Sequence, residues 1–463
     1  MKLKKFLFGS LILILLSCNT VTNMIVPPTA TLIPTVTATL TASPTPTETA
    51  TPLVPAYIPP DCAAAPLATL APGVAVEPAQ EIPTNLEVSK EEQLSILEQV
   101  GKIVEQVYVY PDFNGKDWKA IEEQYRTRVE AGLGTEEFYL QMESMIEELQ
   151  DEHSFFLSPL DVVRAEAELK GENEFVGIGV YSSVDTERNR LVVISTFPDS
   201  AAAHAGIQPH DSIIQVDGQP VIDDDQNRLR GPECSAVVVT VQSPGGAPRD
   251  IMLVRHSIKG NLRIDARLVP TTDGSKIGYI FIPTFFDETI PEQIKNALED
   301  FGTLNGLVLD VRMNGGGSSS VADPVLSYFT SGRLGQFVSR DESRTLGVEG
   351  DPIQNSQTVP LVVMVSQDTV SYGEIFAGIM RDSRDAKITG ETSLGNVEVL
   401  HGYDFEDGSQ LWVASERFYP AHSDEDWEQT GIVPDLPAYA AWDTFTFESD
   451  PSIAAALTLL GHK

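Results

Sequence analysis

Pro360-Leu361-Val362-Val363-Met364-Val365-Ser366-Gln367-Asp368-Thr369-Val370-Ser371-Tyr372-Gly373-Glu374-Ile375-Phe376-Ala377-Gly378 decides the fold of the larger part of this chain. Its five consecutive apolar residues from Leu361 suit a strand buried on both faces, and the residues from Glu374 return to a helical pattern. A serine, Ser371, stands at the junction. A nucleophile gains there, because a helix N-terminus stabilises developing negative charge. Upstream, Leu309-Asp310-Val311-Arg312-Met313-Asn314-Gly315-Gly316-Gly317 is a second strand running through a glycine cluster towards a helix. Consecutive glycines let backbone N–H groups approach a reacting oxygen, so Gly316 and the amide of Tyr372 are the candidate oxyanion donors. A phosphate loop would need G-K-[ST], which is absent here.

Working outward, apolar strands at 278–282, 307–310 and 361–365 alternate with helical segments at 292–301, 321–329 and 374–380. That alternation predicts an α/β core over 262–460. Residues 171–258 change to short strands, with period-two runs at 191–194 and 237–241 and a break at Pro244-Gly245-Gly246. Residues 87–160 are predicted helical. Ser89 and Glu92 form a capping-box pattern before Leu94, Leu97, Val100, Val104 and Val107, and further helices are predicted at 118–130 and 136–149. The fold class is multidomain α/β (α+β): a helical segment, a β-rich module and an α/β core.

The chain has 463 residues, 42% of them hydrophobic, with 31 Lys+Arg against 67 Asp+Glu and a net charge of −36. Such a surface repels polyanions, so nucleic acid is not an expected partner. Lys2, Lys4 and Lys5 precede a short apolar run ending Leu15-Leu16-Ser17-Cys18, a signal-peptide layout whose end resembles a bacterial lipobox. That resemblance predicts a leader over 1–18, lipidation of Cys18, and a membrane-anchored protein outside the cytoplasm. Residues 19–86 are Thr/Pro-rich and are predicted to form an extended linker. Cys62 and Cys234 remain, and sequence leaves open whether they pair. No Cys/His cluster has zinc spacing, so neither a metal nor another cofactor is expected.

Two resemblances give these segments roles. Phe175-Val176-Gly177-Ile178-Gly179-Val180, followed by Asp199-Ser200-Ala201-Ala202-Ala203-His204-Ala205-Gly206-Ile207 and Asp211-Ser212-Ile213-Ile214-Gln215-Val216-Asp217-Gly218, resembles a bacterial PDZ domain. Ala201 and His210 depart from its usual Pro and Gly. The resemblance implies capture of a peptide C-terminus by strand addition at Gly177, Ile178, Gly179 and Val180. The Ser371 turn, the glycine cluster, Leu149-Gln150-Asp151-Glu152-His153-Ser154-Phe155-Phe156-Leu157, Asp407-Gly408-Ser409 and Gly431-Ile432-Val433-Pro434-Asp435 together resemble the C-terminal processing peptidases. These are S41-type serine endopeptidases with a ClpP/crotonase-like core, and their substrates would be unfolded or C-terminally exposed proteins. Oligomeric state is not legible.

The resemblance fails at one position. The family's lysine base falls on Asn396, and an amide cannot take a proton from Ser371. One reading makes His153 the base, as in the tricorn-like relatives, with Glu428 in support. The other makes the chain a peptide-binding or chaperone-like protein that does not cut. His401 is a rival base, whereas Lys387 precedes the motif and is not expected to substitute.

Overall fold

The computed structural model describes residues 53–63, 68–69, 87–151, 153–163, 175–221, 226–258 and 261–462. Cys18 and most of the predicted linker lie outside these residues. Leu53 to Lys463 forms one compact unit.

Three helices come first: α1 (Lys90–Val107), α2 (Trp118–Ala131) and α3 (Thr135–Glu147). The Ser89 capping box is present in both directions. Leu97, Val100, Val104, Phe138, Met142 and Ile146 form one apolar layer with Leu411, Val413 and Ala414. The helical segment is therefore packed onto the α/β core. A short strand, β1 (Phe155–Leu157), leaves this layer.

The β-rich module contains β2 (Phe175–Gly177), β3 (Val180–Asp185), β4 (Arg190–Thr196), helix α4 (Ala201–His204), β5 (Ser212–Val216), helix α5 (Gln226–Leu229), β6 (Ser235–Gln242), β7 (Arg249–Val254) and β8 (His256–Ile258). Strands β6, β5, β4 and β3 lie side by side, with β3 at the edge. His210 takes φ +74°, which explains why the PDZ pattern has glycine there. Its ring packs on Trp442 and Phe445, with Nδ1 2.7 Å from the Trp442 carbonyl. Arg188, Arg190 and the Ser212 hydroxyl all bond the Asp443 carboxylate, so the module is tied to the C-terminal part of the core.

Residues 53–63 correct part of the linker expectation. Cys62 is disulfide-bonded to Cys234 and Tyr57 stacks on His204 at 3.9 Å, so this stretch lies against the module. A bridge across 172 residues restricts the unfolded chain considerably. Cys62→Ser is expected to lower stability by about 2–4 kcal/mol, read as a lower denaturant midpoint.

The core has two sheets. The first orders β9 (Asp265–Val269), β10 (Ile277–Phe281), β11 (Gly306–Asp310), β14 (Leu361–Val365), β15 (Lys387–Gly390) and β18 (Leu436–Pro437), parallel except for the β9 edge. The second orders β13 (Ser343–Val348), β12 (Gly332–Val338), β17 (Gln410–Pro420) and β16 (Glu398–Asp404), all antiparallel, with β1 also on β17. Helices α6 (Ile290–Phe301), α7 (Ser319–Phe329), α8 (Tyr372–Arg384), α9 (Trp427–Thr430) and α10 (Pro451–Leu459) complete it. All five residues of β10, β11 and β14 are buried, as their unbroken apolar runs require.

Candidate active site

Ser371 is the residue preceding α8, with φ +55° and ψ −122°. That backbone is costly for any residue with a Cβ, and such strain is held only where surrounding contacts fix it. Here they do. The Ser371 N–H donates to the Asn396 carbonyl at 2.8 Å, and its own carbonyl accepts from Glu374 and Ile375. Among the described residues no hydrogen bond reaches Ser371 Oγ, so the hydroxyl is not consumed as a helix cap.

The glycine cluster lies directly against this turn. A Cβ on Gly316 would sit 2.8 Å from Ser371 Cβ and 3.2 Å from the Tyr372 nitrogen. Tyr372 opens α8, and its phenol donates to Asp323 at 3.1 Å. The Gly316 N–H, expected as an oxyanion donor, instead donates to Asn314 Oδ1 at 2.9 Å. Asn314 Nδ2 in turn donates to the Ile282 carbonyl, which anchors the loop to β10's end. Gly316→Ala is expected to cut peptide hydrolysis at least about 100-fold, because the methyl would crowd the Ser371 side chain at a glycine of φ +98° and displace the loop expected to meet the oxyanion. Gly315→Ala, where a Cβ meets nothing within 4 Å, is the matched control and should stay near wild type in the same assay.

The loop 393–397 joins Ser371 to a second group of residues. Glu374 is fully buried and accepts from the Ser393 hydroxyl at 2.6 Å and from the Gly395 and Asn396 N–H groups at 2.7 Å. Burial pushes the Glu374 carboxyl up, against the pull of these donors. Asn396 thus meets the Ser371 turn through its backbone. Its neighbour Val397 donates an N–H to Glu428 Oε2 at 2.8 Å. Glu428 lies in α9, which is docked on α8 because Gly378 leaves room for the Trp427 ring.

The other Glu428 oxygen meets His153. Asp151 accepts from the His153 and Ser154 N–H groups, and the Ser154 hydroxyl accepts from Ala414. These bonds fix the turn before β1 and place the imidazole in the core. His153 Nε2 lies 3.3 Å from Glu428 Oε1 and 3.0 Å from Glu398 Oε2. Burial alone would lower the His153 pKa, but the two carboxylates outweigh it and push it up to about 10. Nδ1 is buried without a hydrogen-bond partner among the described residues. Sequence pointed to His153 and Glu428 but missed Glu398. It opens β16 beside Val397, and its other oxygen accepts from the Tyr110 hydroxyl. No local signal marks it, because its partners come from the loop before β1 and from the residues after α1.

The rival bases are elsewhere. His401 is bonded to Glu416, which Arg344 already clamps, on an exposed part of β16. Lys387 pairs with Val362, three residues and roughly 10 Å before the strand end that leads to Ser371. Its ammonium faces Asp435 at 3.8 Å.

A cleft of about 460 Å³ lies outside the carboxyl ends of β14 and β15, where ligands of α/β sheets bind. Its walls include Val365, Ser366 and Asp368 from the core and Ser183, Asp185 and Arg188 from the β3–β4 hairpin. In the module, the Ile178 carbonyl accepts from Ala202 and the Gly179 carbonyl from Phe197 and the Ser200 hydroxyl. Gly179 has φ +78° and a Cβ there would lie 2.2 Å from Ser200 Cβ, so only glycine fits. Val180 then begins β3, whose outer edge no described strand occupies.

Residues 276–438 match Peptidase family S41, residues 89–147 the Tricorn protease C1 domain, and residues 166–229 the PDZ domain. The chain is 31% identical over 363 residues to the carboxyl-terminal-processing peptidase 2, chloroplastic, of Arabidopsis thaliana, covering 75% of this chain and 69% of that protein. It is 30% identical over 392 residues to the carboxyl-terminal-processing protease of Picosynechococcus, covering 80% and 89%. Among solved structures, the photosystem II D1 C-terminal processing protease superposes with a TM-score of 0.55 at 25% identity, over 75% of this chain and 93% of that one. A putative S41 protease from Bacteroides fragilis shares the fold, with a TM-score of 0.57 at 14% identity, over 78% and 97%.

Proposed function

Because the chain belongs to peptidase family S41 and is a serine peptidase of the carboxyl-terminal-processing kind, we propose that it cleaves proteins outside the cytoplasm while anchored to a membrane through Cys18. Substrates are unfolded or C-terminally exposed chains. The PDZ domain takes the C-terminus at Gly177, Ile178, Gly179 and Val180 by adding it as a strand alongside β3, which ends the sheet order. The upstream chain then runs through the cleft between the β3–β4 hairpin and the strand ends towards Ser371.

The observation that carries this reading is the hydrogen-bonded path from His153 through Glu428 and the 396–397 backbone to Ser371. It links an imidazole and a carboxylate to the turn that carries Ser371, where the family lysine falls on Asn396, and an imidazole with a carboxylate is what activating a serine hydroxyl requires. The described arrangement is a resting one, since His153 is held by two carboxylates and Ser371 Oγ has no bond to it. Substrate engagement has to draw the imidazole away from Glu398, so that it sheds its proton, and bring it to the hydroxyl, a step of the kind that gates many enzymes. The developing oxyanion would be met by the Tyr372 N–H and by the Gly316 N–H once Asn314 releases it.

The test is hydrolysis of an unfolded protein with an apolar C-terminus. His153→Ala is expected to lose activity by at least about 1,000-fold. Asn396→Ala should retain most of it, because Asn396 acts through its backbone. Folded wild type that binds the C-terminal peptide tightly but never cleaves it would overturn the peptidase reading in favour of a binding protein. Full activity in His153→Ala would overturn the assignment of the base.

A further inference from the structure

We infer that His153, Glu398 and Glu428 form a binding site for a divalent transition-metal cation of the zinc type, and that filling it shuts off the peptidase. The inhibition half of this inference rests on the base role given to His153 above; the site itself does not.

The three ligand atoms, His153 Nε2, Glu398 Oε2 and Glu428 Oε1, all lie within 4.8 Å of one another. In a tetrahedral zinc site with bonds near 2.0–2.2 Å, neighbouring ligand atoms are separated by about 3.3 Å. The observed separations from Nε2 are 3.0 and 3.3 Å, so a cation needs only small movements to enter. One imidazole with two carboxylates is a donor set that zinc accepts.

Both carboxylates are also held by separate partners, as metal ligands generally are, whereas His153 is held through its backbone and its Nδ1 has no partner among the described residues. Glu398 gives its other oxygen to the Tyr110 hydroxyl, Glu428 gives its other oxygen to the Val397 N–H, and the His153 backbone is fixed by Asp151. The remaining oxygens converge. Glu398 is only 4% exposed and His153 9%, and Glu398 Oε2, although 3.0 Å from Nε2, receives no well-directed hydrogen bond from the ring or from any other described residue. One buried and one largely buried carboxylate around the imidazole leave the centre net negative even when the ring is protonated, and a divalent cation that replaces that proton would neutralise it. The chain's charge of −36 would concentrate cations around it. On binding, the cation displaces the Nε2 proton to solvent, takes the freed lone pair and fixes the ring between the carboxylates, so His153 cannot move to Ser371.

No sequence motif announces the site, because the three residues lie at 153, 398 and 428 with none of the short spacings that mark zinc motifs.

The experiment uses the full chain carrying Ser371→Ala, so that binding is read without catalysis. Zinc chloride is titrated against a chromophoric chelator in excess magnesium, which occupies the acidic surface. One zinc per chain is expected, with affinity reduced at least about tenfold by Glu398→Gln and by His153→Asn. Glu398→Gln keeps the side chain's size and an acceptor for Tyr110, and circular dichroism checks that both variants fold. No stoichiometric zinc, or an affinity unchanged in both folded variants, overturns the site. Wild type is expected to lose peptidase activity at zinc concentrations that fill the site and to regain it with chelator. Zinc bound in this way by an active wild type that it does not inhibit keeps the site and overturns the base role of His153.

Discussion

Ser371→Ala is expected to reduce peptide hydrolysis by about 10⁴- to 10⁶-fold, the range over which serine peptidases depend on their nucleophile. Stability should be nearly unchanged. The hydroxyl bonds nothing among the described residues, and the turn is fixed by backbone bonds to Asn396, Glu374 and Ile375 that alanine keeps. Ser371→Gly separates function from strain further. It should be as inactive as the alanine variant, yet more stable by about 1 kcal/mol, because φ +55° with ψ −122° costs glycine far less. Combining Ser371→Ala with His153→Ala should add almost nothing to the loss, since groups acting as one unit are not additive. A double variant tenfold or more below either single one would mean that His153 contributes independently of Ser371. The measurements are initial rates on an unfolded substrate and urea midpoints for the same four proteins.

How far the sequence reached can be judged residue by residue. Leu361–Val365 is a strand with the bounds its apolar run indicates, because full burial on both faces leaves no ambiguity. The helix after Ser371 runs to Arg384, beyond the predicted 374–380. Its last turn is held by Arg384 donating to the Phe329, Ser356 and Val359 carbonyls, contacts that no local pattern announces. The second sheet was not legible. Strand β17 carries Glu416 and Arg417 in its middle, and these are accommodated by Arg344 and Asp426 from elsewhere in the chain. At the candidate site, Ser371, Gly316 and His153 are singled out by their motifs. Glu398 is not, because it is defined only by what surrounds it. The Cys62–Cys234 pair was open for the same reason: pairing is a property of three-dimensional proximity, and 172 residues intervene.

Arg312→Ala is expected to cost about 3–5 kcal/mol of stability, the largest effect of any single side chain away from the nucleophile. Arg312 follows Asp310 by two residues in the strand-to-glycine segment, and its guanidinium bonds Asp310 at 2.7 and 3.0 Å and Asp450 at 2.6 and 3.2 Å. All three side chains are buried, and Tyr279 adds a bond to Asp310. Alanine would leave two carboxylates in the interior without their cation, which costs more than the intact network contributes. Arg312→Lys should recover little, because one ammonium cannot reproduce the planar fork that serves both carboxylates. The triple variant Arg312→Met, Asp310→Asn, Asp450→Asn removes every charge and should regain part of the loss, measured as a denaturant midpoint between wild type and Arg312→Ala. The same network explains why the damage would reach the site. Asp450 caps α10 through the Ser452 N–H, the Arg312 carbonyl accepts from the Ser366 hydroxyl, and Asn314 stands two residues on. Loss of Arg312 therefore loosens both the glycine loop and the start of the Ser371 turn. Activity per folded molecule should fall in Arg312→Ala and recover only in part in the triple variant; a fully active Arg312→Ala would show that the network serves stability alone.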